Sequence, residues 1–256
     1  MTKLLSVSTD PKTTKGGRLG FLTGVCYMTP HKSPYDSFNL CQWATLLCSL
    51  ACLSFSGRGR DERTESKIKL ARHWRRSLWV NEDKAPFWTQ LAKEVEALVA
   101  KAKKLRMTPC VRLNGTTDIL WERHPEFHEL CTRYQQIQWY DYTKCPIQHR
   151  LGRPANYHLT FSWSGKNDPD CREALRLGVN VATPYLATLP AEDNFGRYSR
   201  KVPVINGDES DLRFLDTPGV IVGLKNKPVS AKRLTQQGCQ QFAKPVSQTR
   251  HALAMA

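Results

Sequence analysis

Three cysteines carry the densest chemical signal in this chain. Cys41 and Cys48 are separated by six residues, and Cys48 and Cys52 by three. Thiolates are soft ligands that suit iron–sulfur clusters or zinc. Three of them leave one iron of a four-iron cluster without a protein ligand, open to a small molecule. With Cys26 or His31 as a fourth donor, the same set suits a closed tetrahedral zinc site. Helical spacing also places Cys48 and Cys52 on one helix face, where they could pack as small apolar residues. The remaining cysteines, Cys110, Cys131, Cys145, Cys171 and Cys239, are scattered and read as isolated thiols.

A second set of polar residues follows predicted strands. Arg112, Asn114, Thr116, Thr117 and Asp118 follow one strand. Tyr140, Asp141, Tyr142, Thr143 and Lys144 lie at the end of the next, and Thr160, Ser162, Trp163 and Ser164 at the end of a third. In parallel α/β folds, ligands bind where strands end and loops begin. Two further motifs have plainer readings. Asp208, Glu209, Asp211 and Asp216 could hold a hard cation, but a capped turn with a salt bridge to Arg213 is the simpler expectation. Gly57-Arg58-Gly59-Arg60 could present a helix N-terminus to phosphate, without the Lys-Ser/Thr of a nucleotide-hydrolysing loop. His124 and His128 sit at zinc spacing on one helix face, but an exposed amphipathic helix is the simpler expectation.

The elements that must position these residues alternate. Strands are expected over 19–28, 109–114, 137–142, 157–163, 179–183, 202–205 and 219–224. Helices are expected over 61–79, 84–106, 122–134 and 168–177, with Asn81 as the cap of the second and a helical turn at 146–151. Strands separated by helices predict a mostly parallel α/β sheet. In the absence of a Gly-rich dinucleotide loop, a partial, open βα barrel fits better than a Rossmann sheet. The chain is read as an N-terminal arm (1–18), one α/β partial-barrel domain (19–225) and a flexible basic tail (226–256).

Composition narrows the class. With 40% apolar residues over 256 positions, the chain can bury a core. No run of 18 apolar residues occurs, so neither a membrane span nor a membrane partner is expected. No signal peptide is expected either, and the nine cysteines are read as thiols of a reducing compartment. The net charge of +15 is uneven. Residues 56–106 hold 14 basic and seven acidic side chains, and residues 217–256 hold six basic and no acidic ones. Such blocks suit contact with a polyanion, or else a solvated helix face and a tail.

The order of strand, Cys loop, basic helix and βα units resembles a radical S-adenosylmethionine (radical SAM) core. More closely, the chain is similar to a family of tailed-phage proteins distantly similar to that superfamily. The matching stretches are LLSVSTDPKTTKGGRLGFLTGVCYMTP, CQWATLLCSLACLSFSGRGR, VRLNGTTDILWE, YDYTK, NYHLTFSWSG and VINGDESDLRFLDTPGVIVGLK, which span about residues 4 to 225. The resemblance implies that Cys41, Cys48 and Cys52 hold a 4Fe-4S cluster with S-adenosylmethionine on its open iron. It implies Arg112, Asn114 and Ser162 as cofactor-binding residues and Asp118, Asp141, Tyr142 and Lys144 as catalytic ones, Tyr142 as a hydrogen-atom or proton donor. The expected function is a phage-encoded iron–sulfur enzyme acting on a nucleotide or nucleic acid in the cytoplasm of the infected bacterial host. The alternative is a non-catalytic, zinc- or cluster-stabilised nucleic-acid-binding protein of phage replication or host takeover.

Overall fold

The computed structural model describes residues 2–8, 11–31, 36–50, 52, 62–186, 188–196, 199–226 and 243–244. In chain order the elements are β1 (Leu5–Val7), α1 (Pro11–Arg18), β2 (Phe21–Cys26), α2 (Leu46–Leu50), α3 (Glu62–Val80), α4 (Ala85–Leu105), β3 (Thr108–Arg112), α5 (Pro125–Arg133), β4 (Gln138–Thr143), β5 (Tyr157–Ser162), α6 (Asp168–Arg176), β6 (Val181–Tyr185), β7 (Glu192–Asp193), β8 (Val202–Asn206) and β9 (Ile221–Lys225). Short 3-10 turns cover Trp121–Arg123, Ile147–Arg150 and Arg213–Leu215.

All nine strands join one sheet in the order β1-β2-β3-β4-β5-β6-β9-β8-β7. Pairing is parallel from β2 through β6 to β9 and β8, and antiparallel only at the two edges. The expected α/β class therefore holds, and the sheet is open rather than closed into a barrel. From β2 to β6 the spatial order follows the chain without reversal. Right-handed crossovers then place every connecting helix on the same face.

That face is apolar. Phe87, Leu91, Val95, Leu98 and Ala102 form the stripe that α4 lays on it, together with Val111, Phe127, Trp139 and Leu159. Cys171 and Ala174 of α6 meet Phe161, Val181 and Ile221 farther along. The start of α4 departs from expectation. Asn81 accepts the Asp83 N–H (3.1 Å), and Asp83, two residues after the predicted cap, accepts the N–H of Ala85 (2.9 Å); the N-cap position itself is Lys84, which makes no side-chain cap bond. The opposite face carries a small cluster of Cys110, Tyr140 and Leu212, flanked by Phe21 and Phe214. Here the segment between β8 and β9 lies across the sheet.

Residues read as an arm contribute to the sheet. β1 pairs with β2, and Leu4 and Leu5 are buried. Glu94 of α4 accepts the backbone N–H of both, at 2.8 and 2.7 Å. A three-residue strand held by a side chain from a distant helix leaves no periodic trace in the sequence. Of the predicted tail, residues 227–242 and 245–256 lie outside the described residues. Lys244 forms a bridge beside Tyr185 of β6, with its ammonium 3.0 Å from Asp193 and 4.2 Å from the Phe195 ring centroid.

The basic helix α3 divides its charge. Lys67 and Lys69 are exposed, whereas Arg75 and Arg76 are buried. Arg75 donates to the carbonyls of Lys3 (2.7 Å) and Tyr27 (3.2 Å). Arg76 donates to Asp36 (2.8 Å from Nε) and to the carbonyls of Thr29 (2.7 Å), His31 (2.6 Å) and Phe38. One guanidinium thus holds the stretch that leads into the Cys loop. Breaking such a buried, paired charge costs about 3–5 kcal/mol. Arg76→Leu is expected to lower the unfolding free energy by that order in urea denaturation, and Arg76→Lys by less.

Candidate functional site

Loops at the carboxyl ends of β2, β3, β4 and β5 meet over one end of the sheet. The Cys loop follows β2 and is tied to two of the others. Cys41 donates its N–H to Asn39 Oδ1 (2.9 Å), and its sulfur lies 3.6 Å from the carbonyl oxygen of Thr116. Leu40 accepts the Asp118 N–H at 2.8 Å. Thr45 accepts the Cys48 N–H (3.2 Å) and donates to the carbonyl of Ser164 (3.1 Å), beyond β5. Gly115 makes the close approach possible. A Cβ there would stand 2.5 Å from the carbonyl oxygen of Cys26, whereas its N–H bonds that oxygen at 3.0 Å.

The described cysteines fall into two groups. Cys26, Cys110, Cys131, Cys145 and Cys171 are buried, and burial pushes the Cys26 and Cys110 thiols up to about 12. Cys41, Cys48 and Cys52 are partly exposed. Cys41 lies within electrostatic reach of both Cys48 and Cys52; burial and then the Asp118 carboxylate hold its thiol far above the usual range. Lys144 lies within electrostatic reach of Cys48, Asp118 and Cys41. Burial lowers the lysine's pKa, but Cys48, Asp118 and Cys41 outweigh it, and the net shift is upward. Among the described residues, no group of three or more His, Cys, Asp or Glu side chains is arranged as metal ligands. The three partly exposed thiols of this loop are of a type that suits soft metals.

Below this mouth, the predicted site residues separate by sheet face. Asn114 is committed to its own turn. Its side chain bonds Thr117 (2.9 Å) and both backbone groups of Ile119 (2.9 and 3.0 Å), and its backbone N–H donates to Asp141 (2.7 Å). Asp141 also accepts the Tyr157 hydroxyl at 2.9 Å. Arg150, fully buried, is held by Glu122 (2.7 Å from Nη2) and stands 3.5 Å from Asp118. Asp118 in turn accepts the backbone N–H of Lys144 at 2.8 Å. Asp118, Glu122, Asp141, Arg150 and Tyr157 form one buried network that locks the loops after β3 and β4 together. Sequence reasoning missed Glu122 and Arg150, because a charged residue within a short turn carries no mark of burial.

Arg112, Tyr140, Tyr142, His158, Thr160 and Ser162 lie on the other face, as register and strand alternation require. Arg112 pairs with Asp211 at 2.9 Å and stacks 4.7 Å from the Tyr142 ring centroid. Tyr142 donates to Asp211 at 3.4 Å, and burial and that carboxylate push its phenol up, so it keeps its proton. Burial, with Arg153 and Arg213, pushes His158 down to about 4 and keeps it neutral. Several buried polar atoms on this face have no protein partner: Arg112 Nε, Tyr140 Oη, His158 Nε2 and Thr160 Oγ1. Such atoms are satisfied by water or ligand.

The acidic run adopts a turn, with Arg213 and Asp216 3.1 Å apart, as expected. Its long-range bonds, from Arg112 to Asp211 and from Lys15 to the Asp208 carbonyl, were not legible in sequence. The histidine pair is also accounted for: His128 bonds the Glu122 carbonyl (2.7 Å), and His124 packs on Trp79 with centroids 5.0 Å apart. Gly57-Arg58-Gly59-Arg60 and Cys239 lie outside the described residues.

Burial is the largest influence on Asp141. It pushes the carboxyl up to about 7, against the lowering effects of Arg112, Asn114, Tyr157 and Arg150. A folded-state value above the unfolded one means that the native state holds the extra proton between about pH 4 and 7. Stability from this group therefore falls as pH rises through that window, by up to about 1.4 kcal/mol per pH unit. Chemical denaturation across pH 4–7 is expected to show that slope in the difference between wild type and Asp141→Asn, with the variant losing less stability as pH rises.

The family model described as Gene product 88 matches residues 3–243, which includes every site residue named above. No curated protein and no solved structure matches the chain significantly. The chain belongs to the Gene product 88 family, a phage gene-product family.

Proposed function

We propose that this chain is an iron–sulfur enzyme of the radical SAM type, acting on a nucleotide or nucleic acid in the infected host. One observation carries the reading. The loop with three partly exposed thiols sits over the carboxyl ends of parallel strands whose order does not reverse. Such strand ends are where α/β enzymes assemble their sites. Cys41, Cys48 and Cys52 would hold the cluster. The cluster and its cosubstrate supply one-electron radical chemistry, and the protein's part is orientation and exclusion of side reactions. Arg112 and Ser162 would orient polar groups from the sheet face, and Tyr142 would hold its proton at Oη.

The second reading, a zinc- or cluster-stabilised nucleic-acid-binding protein, is favoured by a separate feature. Lys93, Lys101, Lys103, Lys104 and Arg106 are all exposed on and just after α4, a run suited to phosphate contact. The described residues contain no helix long and apolar enough to cross a membrane.

Anaerobic purification followed by iron, sulfide and zinc determination discriminates the readings. The enzyme reading expects iron with matching sulfide in wild type, loss of most of it in Cys48→Ala, and reductant-dependent cleavage of S-adenosylmethionine. Zinc in place of iron, or iron without cleavage, overturns it. Nucleic-acid affinity that falls steeply with salt, without cleavage of S-adenosylmethionine, supports the second reading.

A further inference from the structure

The sheet face opposite α4, α5 and α6 gathers buried polar atoms without protein partners. Tyr140 and His158 are register partners on β4 and β5, as are Tyr142 and Thr160 one step on. Arg112 follows Val111, whose partner Trp139 precedes Tyr140, so it completes the row on β3. Arg213 belongs to a turn that packs against β5, and Phe214 beside it meets the Tyr140 ring edge-on at 5.4 Å. Among the described residues, Arg112 Nε, Tyr140 Oη, His158 Nε2, Thr160 Oγ1 and Arg213 Nε have no hydrogen-bond partner. Tyr140, Thr160 and Arg213 are at most 1% exposed. A buried polar group left unbonded is costly, so a cluster of them on one face calls for something that completes the bonds.

Three features narrow what fits. Guanidinium nitrogens only donate, and hydroxyls and a neutral imidazole can donate as well, so the missing partner is rich in acceptors. Charge is already balanced: Arg112 pairs with Asp211 at 2.9 Å and Arg213 with Asp216 at 3.1 Å, while burial keeps His158 neutral. A phosphate here would add an uncompensated charge, which a buried site penalises heavily. The donors also spread over adjacent strands β3, β4 and β5, whose outer members lie about 10 Å apart, wider than a single ion. Phe21, Tyr140 and Phe214 close one side with aromatic rings.

We infer that this face binds a nucleobase: an uncharged, flat ring whose carbonyl oxygens and ring nitrogens accept from Arg112, Tyr140, Thr160 and Arg213 while its phosphate stays outside, a reading that rests on the nucleotide half of the function proposed above and on none of its cluster chemistry. Ligand sites of this kind pair an apolar wall with a few placed polar groups.

The test titrates the full chain by calorimetry with uridine, cytidine, adenosine and guanosine, with inorganic phosphate, and with a single-stranded oligonucleotide of mixed sequence. Wild type is expected to bind at least one of the base-bearing probes and not phosphate. Tyr140→Phe and Thr160→Val each delete one hydroxyl at nearly constant shape. Each is expected to weaken that binding by about tenfold, the worth of one hydrogen bond in a desolvated site. Each is also expected to leave the urea midpoint of the ligand-free protein unchanged or raised, because no protein bond is lost. Tyr140-dependent binding that is tighter for the oligonucleotide assigns the base to nucleic acid, and the reverse order assigns it to a free nucleotide; either supports the site. A lowered midpoint with unchanged affinity makes the hydroxyls structural and overturns it. Binding of phosphate alone, or no Tyr140-dependent binding of any probe, leaves an ion or ordered water on this face and also overturns it. Iron, sulfide and S-adenosylmethionine cleavage in the same wild-type preparation then decide the enzyme reading separately.

Discussion

The rest of the structure depends on the hand of its crossovers. A strand, a helix and a parallel strand connect right-handedly, and from β2 to β6 the strand order never turns back. The helices that connect β2 through β6 are thereby driven to one face. A doubly wound sheet would bury both faces under helices and leave a crevice at the reversal point. Here one face is covered by the stripes of α4, α5 and α6, and the other holds polar side chains, α1 and the segment between β8 and β9.

That asymmetry explains the two kinds of charge inside the protein. On the helical side, Asp141 and Asp118 serve the loops after β3 and β4, and Arg150 with Glu122 ties them together. These are scaffolding bonds, and they leave little freedom for a proton carrier that must meet a substrate. On the other side, Arg112 and Tyr142 meet Asp211 at a surface where further buried polar atoms await a partner. Chemistry is more easily placed there and at the thiol loop than within the locked network.

Legibility followed the length of the signal. α4 spans 21 residues with apolar positions at three- and four-residue steps, and most of its stripe was readable, although Leu105 at its end is exposed and Trp88 beside it is buried. β1 has three residues and α1 contains two glycines, and neither has a period to read. Arg75 and Arg76 illustrate the opposite failure. By sequence they belong to a basic block facing a polyanion or solvent. In the fold they are buried and bonded to carbonyls on the path to the Cys loop. Charge runs report net charge, but which members face water depends on what packs over them.

Local sequence therefore determined the element types, the α/β class, the predominance of parallel pairing and the three-cysteine loop, because each is written in periodicity or spacing over neighbouring residues. Tertiary structure alone decided which polar residues share a site. Asp211 meets Arg112 across 99 positions, and Arg150 meets Glu122 across 28. Such pairs form because strand register brings distant side chains to one face and burial compels them to find a partner. Neither the register nor the burial is visible until the chain has folded.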